Sequence, residues 1–355
     1  AMTSFGIASP TAIKEKKENF KNEPVGTGPF VFKEWKRNDS ITLEKNPNYW
    51  KEGLPKLNKV IVRSIPDNSA RFNALQSGEI DLMEDLSPDD LATLEANPDL
   101  QKIERPSNNV GYVGFNLKKE PFNNVKVRQA LNYAVDKQAI IDAFFAGQAE
   151  PAKNPMPPSL WGYNDSIADY EYDPEKAKAL LAEAGYPNGL PGEYVFYAMP
   201  VSRPYMPDGK KVAEVIQQNF EEVGVKVKIE SPEWAVYLDD AQAGEKDDLF
   251  MLGWTGDNGD PDNFLYTLLD KDAIPSNNYT YYSSDELHEL LVAAQIETDQ
   301  SKREELYKQA QEIIKADAPW IPLVHTTPLL AAKANLKGYV PAPTGTEYYS
   351  NIYFE

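Results

Sequence analysis

The sequence predicts an α/β protein with two lobes, and three observations carry the prediction. The chain has 355 residues, enough for two lobes with their own cores rather than one small domain. Helical and strand-like patterns alternate through its middle, from about residue 111 to 325. The flanking segments are richer in strand-like alternation than in helical spacing.

The leading hundred residues read as strands and turns with one helix. Val25-Gly26-Thr27-Gly28-Pro29-Phe30 is a glycine turn feeding a strand from Phe30 to Trp35, and Ser40–Lys45 alternates in period two. Lys59–Ile65 alternates again and stops at Pro66. A helix from about Ser69 to Gln76 closes at Gly78, and Ile80–Met83 follows as a strand. Strand, helix, strand predicts a βαβ unit in a mixed sheet.

The middle is better punctuated. Val127, Ala130, Leu131, Ala134, Ile140, Ile141 and Phe144 fall at helical spacing and predict one helix over Val125–Ala146, stopped by Gly147. Asp173-Pro174-Glu175 opens another with an N-cap, a proline at its first position and an acidic first turn; Gly185 ends it. Lys210–Glu222 carries Val212, Val215 and Ile216 on one face, and after Gly224 the run Val225–Ile229 alternates as a strand. Ser284–Glu297 and Ser301–Lys315 form a helical pair, and from Trp320 the chain is strand-like again. No fixed-period repeat is visible, which argues against solenoids and propellers.

Composition excludes several function classes. The net charge of −19 argues against nucleic acid, whose phosphates demand clustered Lys and Arg, and against an anionic membrane surface. No apolar run approaches the ~18 residues that span a bilayer. The absence of cysteine removes disulfides, thiol catalysis and thiolate metal sites without fixing the compartment. Ala1–Gly6 has neither the basic nor the apolar region of a targeting signal. Either such a segment has been removed or the chain starts late in a longer protein.

Gly26-Thr27-Gly28 lacks the third glycine, the Lys-Ser/Thr pair and the following helix of a nucleotide loop, so it reads as a tight turn needing positive φ. His288 and His325 have no acidic residue at metal-ligand spacing, and no G-x-S-x-G is present. The expectations are no catalytic residue, no metal and no cofactor. The densest segment is Gly253-Trp254-Thr255-Gly256-Asp257-Asn258-Gly259-Asp260-Pro261-Asp262-Asn263-Phe264. A calcium loop counted from Asp257 fails, because its third and fifth positions are Gly259 and Pro261. Trp254 and Asp257 would instead place an aromatic face and a carboxylate at the end of a buried strand (Leu249–Gly253), which suits an ammonium-bearing ligand. In Tyr197–Pro207 a proline-bounded loop carries Arg203, whose guanidinium matches a carboxylate in bidentate geometry. The two together suggest a site for a zwitterion.

Several stretches resemble one known family, the large three-domain solute-binding proteins of ABC importers, and most closely the dipeptide-binding type. They are Pro24–Trp35 (PVGTGPFVFKEW), Asn46-Pro47-Asn48-Tyr49-Trp50, Phe72–Asp81 (FNALQSGEID), Asn109–Leu117, Val125–Asp136 (VKVRQALNYAVD), Trp161–Ala184, Ala198–Pro204 (AMPVSRP) and Gly253–Phe264 (GWTGDNGDPDNF). The resemblance runs nearly end to end and in the family's order, but begins partway into its pattern. It implies a periplasmic-binding-protein-like architecture of two lobes and a hinge, here without the family's N-terminal segment and small domain. Residues 1–110 with 326–355 would form the incomplete first lobe, domain I, and 111–325 the second α/β lobe, domain III. Peptide would be enclosed between lobes as they close.

The resemblance further implies that Asp257 pairs with a peptide ammonium and Arg203 with its carboxylate. Main chain around Gly253–Thr255 would bind the peptide as an added strand. Trp254 and Trp234 are either side-chain pocket walls or ordinary core. The expected function is capture of short peptides, dipeptides above all, by a monomer outside the cytoplasm, in a periplasm or as a lipoprotein on the outer face of the cell membrane. Its partners would be the permease subunits of an ABC importer. The alternatives are a binder of glutathione or another small solute on the same fold, or a peptide or glycoside hydrolase.

Overall fold

Helix starts follow the local signals. Asp173, Asp208, Ser284 and Asp299 each accept a hydrogen bond from the backbone N–H three residues on, meeting donors that the first turn of a helix leaves unpaired. The computed structural model describes residues 6–355. It divides into two units, one of residues up to Pro106 together with Pro328–Glu355, the other Ser107–Thr327.

In chain order unit 1 begins α1 (Pro10–Lys16), β1 (Phe30–Lys36), β2 (Ser40–Lys45), β3 (Lys59–Arg63), α2 (Asn68–Gln76), β4 (Leu82–Met83), α3 (Leu91–Glu95) and β5 (Leu100–Glu104). Unit 2 opens with β6 (Asn109–Phe115), α4 (Val125–Ala134), α5 (Lys137–Phe144), β7 (Ala149–Pro151), α6 (Pro174–Glu183), β8 (Tyr194–Tyr197) and α7 (Gly209–Glu222). It continues with β9 (Val227–Glu230), α8 (Trp234–Ala243), β10 (Leu249–Thr255), α9 (Asp262–Leu269), α10 (Asp285–Ile296), α11 (Gln300–Asp317) and β11 (Trp320–Thr326). The chain then returns to unit 1 with β12 (Leu329–Lys333), β13 (Leu336–Lys337) and β14 (Tyr353–Phe354).

Unit 1 holds two three-stranded sheets, β1-β2-β3 and β4-β12-β5. The expected βαβ unit is absent, because β3 and β4 lie in different sheets. The two-residue β4 pairs antiparallel with the returning β12, a partner from the far end of the chain that local pattern cannot reveal. A helix not expected, α1, starts where Ser9 accepts from the Ala12 N–H ahead of Pro10. Neither Gly26 nor Gly28 takes the positive φ expected of it; Gly26 lies instead where a Cβ would stand 3.1 Å from the Ile7 carbonyl oxygen. The β1-β2-β3 sheet buries none of its residues, and Ile61 is 55% exposed. A hollow of about 700 Å³ runs along β3, walled by the 79–85 segment, Leu336, Tyr349, Ile352 and Phe354.

Unit 2 is built on one six-stranded sheet in the order β7-β11-β6-β10-β8-β9. Every residue of β6 and β11 is buried, as expected of central strands covered on both faces. The single helix predicted over Val125–Ala146 is two. Val135 is extended, and Asp136 starts α5 by accepting from the Ala139 N–H. Hydrophobic spacing continues across the break because both helices face the same core, so periodicity alone hid the cap.

The parallel part of the sheet sets the location of the site. Strand β8 leads through α7 to β9 on one side; β9 leads through α8 to β10 on the other, and both pairings with β8 are parallel. The strand order therefore reverses at β8. In open α/β sheets, ligands bind outside the carboxyl ends of the strands at such a reversal.

Candidate functional site

Two loops leave the carboxyl ends of β8 and β10, residues 198–208 and 256–261, and they contain Arg203 and Asp257. Strand β10 runs past the end of its pairing with β8. The Gly256 N–H donates to the Asn108 carbonyl at 2.7 Å, so in this antiparallel ladder the even-numbered residues of β10 turn their main-chain groups toward β6. Met251, Gly253 and Thr255 turn theirs to the opposite edge. On that edge β8 pairs only with Leu249 and Phe250. The Tyr237 hydroxyl takes up Met251, accepting from its N–H at 2.9 Å and donating to its carbonyl at 2.5 Å. Gly253 and Thr255 lie beyond both, without a neighbouring strand on that edge among the described residues.

The Arg203 loop is held by a notch in the sheet. Gly111 on β6 and Gly253 on β10 are register partners. A Cβ at Gly253 would stand 2.3 Å from Tyr205 Cδ2, and one at Gly111 2.6 Å from the Tyr205 carbonyl oxygen. Two adjacent glycines thus make room for Tyr205, which is buried. Arg203 and Met206 exchange backbone hydrogen bonds of 3.0 and 2.8 Å, closing the turn around Tyr205. The Arg203 guanidinium lies 5.5 Å from the centre of the Trp234 ring, and its Nη1 donates to the Ser202 carbonyl at 3.0 Å. Burial pushes the Tyr205 hydroxyl up, and the nearby Arg203 charge partly offsets the shift. Trp234 opens α8 with its ring 5.4 Å from Tyr237. It packs on the core and lies beneath Arg203 at once.

The Asp257 loop is fixed at more points. Gly256 packs under Phe264, where a Cβ would stand 2.5 Å from the ring. Asn263 Oδ1 accepts from both the Trp254 indole, at 3.0 Å, and the Asp257 N–H, at 2.8 Å. Asn258 Oδ1 accepts from the Asp260 N–H at 3.0 Å. Asp260 faces Arg303 at 3.2 Å and Asp262 accepts from Gln295 at 2.9 Å, so both are engaged by the helices behind the loop. Asp257 is exposed and Trp254 half-buried.

The structure thus gathers Arg203 with Trp234, and Trp254 with Asp257, at the ends of neighbouring parallel strands. Sequence reasoning missed Tyr205, Tyr237, Asn263 and Gly111. A glycine interrupting the run Asn109–Phe115 was the available signal for the notch; nothing local marked Tyr237 or Asn263.

The histidines stand elsewhere. His325 is buried with Nδ1 2.8 Å from the Asn109 carbonyl oxygen, and burial lowers its pKa to about 4. His288 Nδ1 lies 3.0 Å from the buried Asp270 carboxylate, and Asp272 is close by. Spacing in the sequence gave no hint of that trio, because it joins a helix to the loop before it. Asp270 also accepts from the Asp272 N–H at 2.8 Å, which accounts for its position as a turn cap.

The family pattern described as bacterial extracellular solute-binding proteins, family 5 Middle, matches residues 1–276. Heme-binding protein A of Haemophilus influenzae is 45% identical over 95% of this chain and 61% of its own length. The dipeptide-binding protein of Escherichia coli is 41% identical over 95% of this chain and 63% of its own. Among solved structures, an ABC transporter-associated periplasmic binding protein of Helicobacter pylori in complex with the peptide STSA superposes with a TM-score of 0.86. That match is 37% identical and covers 98% of this chain and 68% of the other. The chain spans about three-fifths of the length of the curated relatives named here. The pattern over residues 1–276 and the relatives over nearly the whole chain place it in family 5 of the bacterial extracellular solute-binding proteins.

Proposed function

We propose that this chain supplies the part of a binding protein that grips both ends of a short peptide, dipeptides above all, for delivery to the permease of an ABC importer. The observation that carries the proposal is the pair of loops at the strand reversal, one bearing the Arg203 guanidinium and the other the Asp257 carboxylate, with the unpaired edge of Gly253 and Thr255 on the same strand end. Asp257 takes the ammonium, with the Trp254 ring beside it; Arg203, backed by Trp234, takes the carboxylate. The β10 edge binds the peptide main chain without reading side chains. Such a protein works outside the cytoplasm, free in a periplasm or held by a lipid anchor. Among the described residues no helix is long and apolar enough to cross a membrane.

The test is calorimetric titration with a free dipeptide, its N-acetyl form and its C-terminal amide. Losing the partner of a ligand charge that is enclosed on binding costs on the order of 2–5 kcal/mol, roughly thirty-fold to several thousand-fold in affinity. Acetylation should therefore weaken the parent strongly and leave Asp257→Asn nearly unaffected, because one pair cannot be lost twice. Amidation should behave the same way against Arg203→Gln. Equal weakening of parent and variant by acetylation would remove Asp257 from the site and bring Asp260 or Asp262 forward. Cleavage of the dipeptide during the titration would point to a hydrolase instead.

A further inference from the structure

Asn263, the second residue of α9, meets three groups with one amide. Its Oδ1 accepts from the Trp254 indole N–H at 3.0 Å and from the Asp257 backbone N–H at 2.8 Å. Both of those groups are donors only, so the oxygen of the amide must face them and its NH2 must face the other way. On that side Nδ2 lies 3.4 Å from Asp257 Oδ2. The amide therefore binds the aromatic face, the loop backbone and the carboxylate to one point.

That point is rigid. The Asn263 N–H is bonded to the Asp260 carbonyl at 3.1 Å. The next residue, Phe264, is fully buried against Gly256, and Leu265, Leu268 and Leu269 seat the rest of α9 in the core. Only a planar amide of this length offers two acceptor directions and a donor. Serine is too short for the full set, and aspartate keeps the acceptors but turns an oxygen toward the Asp257 carboxylate.

We propose that Asn263 is the positioning residue of the ammonium end: it holds the Trp254 ring and the Asp257 carboxylate in the one relative placement that receives a cationic amine. This rests on the reading that Asp257 binds the ammonium. A preorganised pair loses less on binding than a mobile one.

The experiment measures the affinity of the full chain for a free dipeptide, its N-acetyl form and its C-terminal amide. It is run in the parent, Asn263→Ser, the near-isosteric Asn263→Asp and Asp257→Asn, each checked for folding by circular dichroism. The readout is the ratio of free to acetylated affinity, which general damage to the fold would not change. Both Asn263 variants should shrink that ratio about tenfold while leaving the ratio of free to amidated affinity as in the parent. Joined to Asp257→Asn, they should shrink it no further. If Asp257→Asn collapses the ratio and both Asn263 variants preserve it, the ammonium reading stands and the positioning role is overturned. A parent that binds the free and acetylated peptides alike, or neither, overturns both. Should Asn263→Ser fail to fold, Asn263→Asp decides the outcome.

Discussion

Asp247, between α8 and β10, is a buried carboxylate whose cost can be worked out from its surroundings. It is 0% exposed, and neither carboxylate oxygen accepts a hydrogen bond from another residue. The cation that acts on it, Lys119, donates instead to the Asp247 backbone carbonyl at 2.9 Å and pairs with Asp248 at 3.2 Å. Burial therefore raises the Asp247 pKa to about 6. Between an unfolded value of about 3.9 and that folded value, the native state holds a proton that the unfolded chain has released. Stability from this group is thus present at low pH and lost as pH rises through about 6. Above that pH, keeping the carboxylate ionised in its buried place costs the folded state about 3 kcal/mol. Asp247→Asn removes the titration. The variant should gain on the parent by up to about 3 kcal/mol between about pH 4 and about pH 7.5. Urea unfolding of the unit 2 transition at several pH values gives both curves, and subtracting them cancels every other titrating group. A difference that stays flat across that range would show that the carboxylate finds a partner or water, and would refute the argument.

Two other outcomes follow from the packing. Gly253→Ala puts a methyl 2.5 Å from the Val110 carbonyl oxygen as well as against Tyr205. Backbone cannot move aside as a side chain can, so the change should cost about 1–3 kcal/mol and weaken dipeptide binding by displacing the Arg203 loop; a variant as stable as the parent would rule out the notch. Hydrogen exchange should be faster over Lys33–Ile65, where the β1-β2-β3 sheet buries nothing, than over Val125–Asp317 in the core of unit 2. Uniform protection across both stretches would contradict it.

Much of this protein was legible in its sequence for a local reason. A cap such as Asp173 before Pro174, or Ser284 ahead of its helix, acts on backbone donors two or three residues away, so the signal and its consequence sit in one short window. The α/β alternation of unit 2 and the loops carrying Arg203 and Asp257 were visible in the same way, and the family motifs run through these stretches. In one place a second local signal was overlooked: the continuous apolar face of Val125–Ala146 masked the Asp136 cap.

Tertiary structure decided whatever depends on residues far apart in the chain. Leu82 and Met83 look like the end of a βαβ unit until the returning Ala331 and Ala332 pair with them. Gly111 and Gly253 are unremarkable glycines until sheet register sets them side by side and leaves room for Tyr205. The two bonds accepted by Asn263 arise because α9 folds back against the end of β10. Helical and strand periodicities report on neighbours a few residues away. Register between strands is settled by the packing of the whole sheet, so the residues that shape this site declared themselves only once it had formed.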